Sequence, residues 1–440
     1  MKKKYYHIIS FVLGTALTCL ITACEGQDED SQGTDDTITY AVNFEIGTQA
    51  ETNTRATVDN PTNNAEQAES MKSVLLVVVK ADNTIEAIIE EDFGDTDAKT
   101  AYQEIAELTA GPKTLYGFAN LTAEMLNEAS LDNNSLTVGS AFPAAVADAL
   151  CNTAGRNGNY IPMSNKQEIT VTKLPGQKYI IELIRLMCKI TFTVKNESGY
   201  GIELRQIVTN PVTTLDSPVF LLPHTGNGGG CELPGEAKTD SIVWAWPATD
   251  QKLSKDATSS EFTIYLNESK VANDGWFTFQ LNTLKEGKLN YDRFSISNTR
   301  ILNRNDHLPV NITLTDFNLK LDVQSFPPIG GYPSVDVPMK DKEYYAHFPG
   351  GGPFIITPHL SKHSTGEEVT EGVTWTLSVS GDLSIFDVQP TLKNNEIIGT
   401  LKYAPSKAGE KALCTLTGIV KVSETVERRL TYKIYVENYD

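Results

Sequence analysis

The sequence predicts an all-β chain of tandem β-sandwiches, with a further sandwich closing the carboxyl end. Three observations carry this. Ile38, Tyr40, Val42, Phe44 and Ile46 alternate with Thr39, Ala41, Asn43 and Glu45 without a slip, which is the period of a strand with one buried face. Later apolar stretches are short, rich in β-branched residues and separated by Gly, Asn and Pro loops, the spacing of sandwich strands. Few stretches carry a helical period.

After the first strand, over residues 37–46, the chain is polar and turn-forming through residue 70, with Pro61 and the run Thr54-Arg55-Ala56-Thr57. Residues 74–79 are wholly apolar and of strand length, suited to the middle of a sheet. Residues 101–108 lead into a turn at Ala110-Gly111-Pro112-Lys113, from which 114–121 returns as a strand. Thr122 is placed to cap a short helix through Asn127, and residues 144–150 suggest a second. A strand is expected at 169–172. Residues 179–194 are apolar and β-branched, interrupted by Glu182, Arg185 and Lys189. That suits a strand leaving one sandwich and entering the next.

Beyond Cys188, strands are expected at 203–208, 262–266, 276–282, 294–296 and 308–314. Residues 324–333 concentrate Pro and Gly and are expected as an interdomain hinge or turn. The remainder, with Trp375 and apolar runs at 373–379, 413–420 and 430–436, looks like an immunoglobulin-like sandwich. The expected domains are therefore 37–187, 188–323 and 334–440.

Lys2, Lys3 and Lys4 precede an apolar run over residues 8–20 that closes in Ile21-Thr22-Ala23-Cys24. A basic start, a short apolar stretch and small residues at the cut describe a bacterial secretory signal over 1–23. The run is too short to cross a bilayer as a helix. Its close resembles the lipobox, where lipid is joined to the thiol before cleavage leaves Cys24 first, so Cys24 is the expected lipid attachment. Residues 24–36 read as an acidic tether. Acids directly behind a lipidated cysteine also resemble the surface-export signal of Bacteroidetes lipoproteins. Loss of the signal would move the formal charge from −19 to −22, which argues against nucleic acid and against charge-driven binding to anionic membranes. Cys151, Cys188, Cys231 and Cys414 then remain, with no CxxC pair or zinc spacing. One disulfide is open to them in an oxidising compartment, with its partners unassigned.

Catalytic constellations are scarce. No HExxH, nucleophile elbow or Walker-type loop occurs. His359 and His363 are four apart, a ligand spacing on a helix, but they sit in strand and loop sequence. Trp244 and Trp246 share one face of a strand, where they would stack on a sugar or pack in a core. No catalytic residue, metal or cofactor is expected, and the chain is not expected to be an enzyme.

Several segments together resemble the Bacteroidetes fimbrillin families, the subunits of type V pili. They are the close at Cys24, the alternating first strand, Thr54-Arg55-Ala56-Thr57, Lys113-Thr-Leu-Tyr-Gly-Phe-Ala-Asn-Leu121, Ile161-Pro-Met-Ser164 and Glu182-Leu-Ile-Arg-Leu-Met-Cys-Lys-Ile190. Arg304-Asn305 and the strand at 308–314 look like the end of the family's second domain. The resemblance implies two transthyretin-like sandwiches exported as a lipoprotein. An arginine-specific protease would remove the first strand by cutting at Arg55-Ala56, and a strand from the next subunit would fill its place. The strand-exchange segment is then Ile38, Tyr40, Val42, Phe44 and Ile46.

A candidate donor is the alternating chain end, Leu430, Tyr432, Ile434 and Val436, whose other reading is the last strand of the third sandwich. The expected partners are other pilus subunits, the protease, a host or bacterial surface ligand, and the outer membrane through the lipid. The third domain departs from the two-domain pattern and leaves shaft, tip and anchor positions open. The rival expectation is a glycan-binding outer-membrane lipoprotein.

Overall fold

Strands dominate the computed structural model of the protein, as β-branched runs and period-two alternation require. It describes residues 38–48, 52–53, 67–94, 96–132, 134–155, 160–224, 231–270, 275–325, 332–335, 337, 339–340, 343–348, 351–402 and 410–437. The signal segment, Cys24, the acidic tether and Arg55-Ala56 lie outside these residues. From Thr39 onward the chain forms one compact unit; of the preceding unit only Ile38 is described.

The first sandwich is built from β1 (Thr39–Thr48), β3 (Ser73–Lys80), β4 (Ile85–Asp92), β5 (Ala101–Thr109), β6 (Gly111–Ala119), β8 (Met163–Val171) and β9 (Gln177–Arg185); β2 (Thr52–Asn53) and β7 (Leu150–Asn152) pair elsewhere. The hydrogen-bonded order is β4-β3-β6-β8-β9-β1-β5. β8 and β9 share only the pairs Met163↔Arg185 and Ser164↔Ile184, so the sheet folds over there into two layers, β4-β3-β6-β8 and β9-β1-β5. Val42, Phe44, Ile46, Leu76, Val78, Leu115, Ile181 and Leu183 fill the space between them. The layers meet closely at Gly117, where a Cβ would lie 2.7 Å from Leu183 Cδ2.

β3 is buried on both faces, as its unbroken apolar run implies. Its second face is covered by α1 (Ala123–Glu128) and neighbouring loops, which bring Leu121, Met125 and Leu131 against Leu75 and Val77. Thr122 caps α1 by accepting from the Met125 amide. The second expected helix forms as a 3₁₀ stretch, Ala144–Asp148. The expected turn at 110–113 tightens to a single residue, Ala110, which carries the chain between layers; Gly111 supplies a φ of +124° there.

Leu186 separates β9 from β10 (Met187–Asn196), so the long apolar stretch does pass between sandwiches. β10 lies between the strands Phe262–Asn267 and Asp306–Leu314, parallel to the latter. The facing layer holds β11 (Ile202–Thr209), Phe277–Lys285 and Lys288–Ile296. Phe192, Ile207, Trp246, Phe279, Phe294 and Ile312 form the core between.

The third sandwich begins earlier than the sequence implied. Phe317–Ser325 pairs with Gly352–Lys362 and places Leu319, Leu321 and Val323 in a core with Phe354, Leu416 and Ile434. The boundary therefore falls at Thr315 and Asp316, not between 323 and 334. Tyr332–Val335 pairs back onto Phe317–Ser325, so the Pro/Gly segment connects strands within the third sandwich and is not an interdomain hinge. Pro/Gly density marks a change of direction but not which sheet lies on either side. Its residues 326–331 lie outside the described ones.

The last strand, Val426–Glu437, belongs to two sandwiches. Val426 to Arg429 pair with Ile296 to Arg293 of the second. Glu427 to Val436 pair with Ala412–Lys421, and the strand's end runs parallel to Glu343–His347, both in the third. Val426 lies in the second core, and Ile434 and Val436 lie in the third. Arg428, buried between them, donates to Asp292 at 2.6 Å and to the Thr315 carbonyl.

Candidate functional site: the seat of the first strand

β1 lies one strand in from the edge of its layer. It runs antiparallel to β5, from Thr39↔Thr109 to Gly47↔Ala101, and parallel to β9, from Val42↔Gln177 to Thr48↔Leu183. Among the described residues β5 has no other strand partner. Val42, Phe44 and Ile46 are fully buried, with the Phe44 ring 6.4 Å from that of Tyr179. Tyr40 is half-buried, and Ile38, ahead of the strand, is 52% exposed. The expected five-residue buried face is therefore three residues deep with a partly covered fourth. The physical reason is the register: β9 first reaches β1 opposite Val42, so earlier residues have a neighbour on one side only. On the outer side, Lys178 pairs with Glu45 and holds its carboxyl below the ordinary value.

A second, short strand of the same amino-terminal segment pairs into the second sandwich. β2 runs parallel to Asp306–Leu314, with Thr52 opposite Asp306 and Asn53 opposite His307. Buried polar side chains gather beside it. Glu69, from the 3₁₀ turn Gln67–Glu69, accepts from the Tyr265 hydroxyl at 2.9 Å and pairs with Lys189 at 2.7 Å and Arg185 at 3.8 Å. Arg185 donates to Asn305 Oδ1 at 2.9 Å. Arg304 pairs with Glu268 at 2.6 Å and donates to the carbonyls of Phe220 and Leu221. Buried charges persist only when paired in this way.

Arg185 and Lys189 thus meet Arg304-Asn305, distant in sequence, at the joint between the first two sandwiches. Lys189 is itself opposite His307. Both ends of the segment that carries Arg55 are tied to this joint, Asn53 through its strand and Glu69 through its ion pairs. Sequence reading missed Glu69, Tyr265 and Glu268, because no period or motif separates a buried acid from the many surface ones.

Leu430, Tyr432, Ile434 and Val436 stand within the last strand, with Ile434 and Val436 fully buried. That placement matches their reading as the last strand of the third sandwich. Trp246 is buried against Phe262 at 4.7 Å, and Trp244 packs half-buried on the same core. His359 sits between Asp322 at 3.2 Å and Glu368 at 2.8 Å. His363 instead meets the Tyr200 hydroxyl and the Asn318 amide, so the two histidines serve different partners. Among the described residues no group of His, Cys, Asp and Glu is placed to hold a metal ion.

Cys151, Cys188, Cys231 and Cys414 are all buried. Burial pushes the Cys151 and Cys414 thiols up to about 12 and that of Cys231 to about 11. Thiolate is the reactive form. Iodoacetamide at pH 8 is therefore expected to leave these three unmodified in the folded protein and to label them after denaturation. Mass spectrometry checks this.

No family model matches the chain, and no curated protein matches it. Among solved structures it is similar to the tip fimbrial protein Mfa3 from Porphyromonas gingivalis in a carboxyl-terminally truncated form, at 13% identity over 63% of this chain and 96% of that one, with a TM-score of 0.40. A fimbrial assembly protein from Parabacteroides distasonis is similar at 10% identity over 76% and 98%, with a TM-score of 0.36. The fimbrial anchor protein Mfa2 from Porphyromonas gingivalis is similar at 12% identity over 62% and 90%, with a TM-score of 0.29. Likenesses this low assign no activity to the chain.

Proposed function

We propose that this protein is a structural and adhesive subunit of a cell-surface fimbria. It is exported as a lipoprotein anchored to the outer membrane through Cys24, processed by an arginine-specific protease between Arg55 and Ala56, and assembled by exchange of its first strand. The observation that carries this reading is the seat of β1. Both described strands on the amino side of Arg55, β1 and β2, pair into the sandwiches, and departure of β1 leaves β5 with no strand partner among the described residues.

The energetics favour replacement. Three fully buried apolar side chains contribute about 5–9 kcal/mol as an upper bound, comparable to a domain's net stability of about 5–15 kcal/mol. Two unpaired strand edges add to the drive to bind another extended segment. A neighbouring subunit's strand would satisfy both, with no nucleotide required. The last strand, with Leu430, Tyr432, Ile434 and Val436, can donate only where its pairing with Ala412–Lys421 comes apart. The partners of this reading are other pilus subunits and a surface ligand on host or bacterial cells.

Trypsin-like treatment of the folded protein is expected to create a new amino terminus at Ala56 and ladders on non-boiled gels. Arg55→Ala is expected to fold with an unchanged melting temperature and to give no ladder. Ladders at the normal rate from that variant would reject the processing site. A folded protein that resists cutting, stays monomeric and binds a polysaccharide would support the glycan-binding lipoprotein instead.

A further inference from the structure

The two layers of the first sandwich end on the same side in β4 and β5, which are not joined by a ladder. Side chains close that gap at both ends. At one end Glu86 of β4 accepts from the Thr109 amide at 2.7 Å and the Thr109 hydroxyl at 2.6 Å, and pairs with Lys113 at 2.6 Å. Lys113 also donates to the Thr109 hydroxyl at 2.8 Å and is only 4% exposed. Burial alone would raise the Glu86 carboxyl, but the bonds from Lys113 and Thr109 bring it below its ordinary value. At the other end Phe93, just past β4, packs edge-on against Tyr102 of β5 with ring centroids 5.1 Å apart. The Met71 and Lys99 backbones exchange hydrogen bonds of 2.6 and 2.8 Å beside it.

This clasp straddles the Ala110 crossover, with Thr109 before it and Lys113 after it. The crossover is where β5 would swing once β1 had gone. A buried ion pair is poor value for stability against apolar side chains of the same volume, yet it fixes geometry. We propose that the β4–β5 seam holds β5 upright as the far wall of the vacated seat. The gap between β5 and β9 then keeps the width of one strand and admits an extended segment of a second protein chain in the register that β1 had. This rests on the strand-exchange reading. It adds to it that the acceptor is preformed, so that less ordering cost is left to binding.

The test uses the full chain with Ile105→Cys and Ile180→Cys, exposed positions on β5 and β9 either side of β1, carrying spin labels. The distance between them is measured before and after cutting at Arg55, with strand release followed by mass spectrometry. In the otherwise native chain the distance distribution is expected to stay narrow and centred as before. With Glu86→Leu, Lys113→Met and Thr109→Val together, a swap expected to preserve the uncut fold, release should shift or broaden it by about one strand spacing, ~4.8 Å. Capture of a synthetic peptide of residues 37–48 should slow about tenfold.

Equal broadening in both chains, or none in the variant, would overturn the proposal. If cutting leaves the strand in place, strand exchange itself has failed. The same labelled pair, read at a urea concentration where the β1 amides exchange, then still decides the seam by the same two outcomes.

Discussion

Phe44→Asp is expected to leave no folded first sandwich. The ring is fully buried between the two layers and sits opposite Tyr179 on β9 and Glu104 on β5. Removing a buried aromatic side chain costs about 3–5 kcal/mol. An unpaired carboxylate in its place adds several kcal/mol more unless it takes up a proton. Together these are comparable to a typical net stability of about 5–15 kcal/mol. Soluble yield should collapse, and any protein recovered should lack protection of the β1 and β5 amides. Ala41→Lys provides the contrast: Ala41 faces outward on the same strand, opposite Glu107. It should shift stability by no more than about 0.5 kcal/mol. A Phe44→Asp protein with wild-type yield and melting temperature would remove β1 from the core, and the strand-exchange reading with it.

Val426→Asp should damage two sandwiches at once. Val426 opens the last strand, is fully buried in the second core and pairs with Ile296. From there the strand runs on into the third core through Ile434 and Val436. An unpaired buried charge at its start should cost several kcal/mol. It should also release the ladder that continues the second sandwich's sheet into the third. Tryptophan reports on both, since Trp244, Trp246 and Trp276 lie in the second sandwich and Trp375 in the third. Single-site Phe replacements separate their signals. Both sets are expected to move to one lower midpoint. If Trp375 kept its wild-type midpoint while the second-sandwich signal fell, the shared strand would carry no coupling between the two.

How far the sequence could be read differs from one element to the next. The double-sided burial of Ser73–Lys80, the Thr122 cap and the passage from β9 to β10 were legible, because each rests on local chemistry: an unbroken apolar run, a hydroxyl ahead of a helix, and charges punctuating a β-branched stretch. The start of the third sandwich was not. Phe317, Leu319, Leu321 and Val323 alternate as any half-buried strand does, and alternation does not say which core receives them. The buried charges Glu69, Arg185, Lys189, Arg304 and Glu268 were visible as residues, but their convergence depends on contacts between segments up to about 200 residues apart, which only pairing across sheets creates.

What the sequence determined alone is that residues 37–46 alternate as a strand with Ile38, Tyr40, Val42, Phe44 and Ile46 on one face, since a period of two fixes sidedness from the backbone itself. Which strands flank it, how far along it burial extends, and that the chain's last strand serves two cores were decided by tertiary structure. Hydrogen-bond partners in a sheet are chosen by the packing of the whole chain, and no local pattern encodes them.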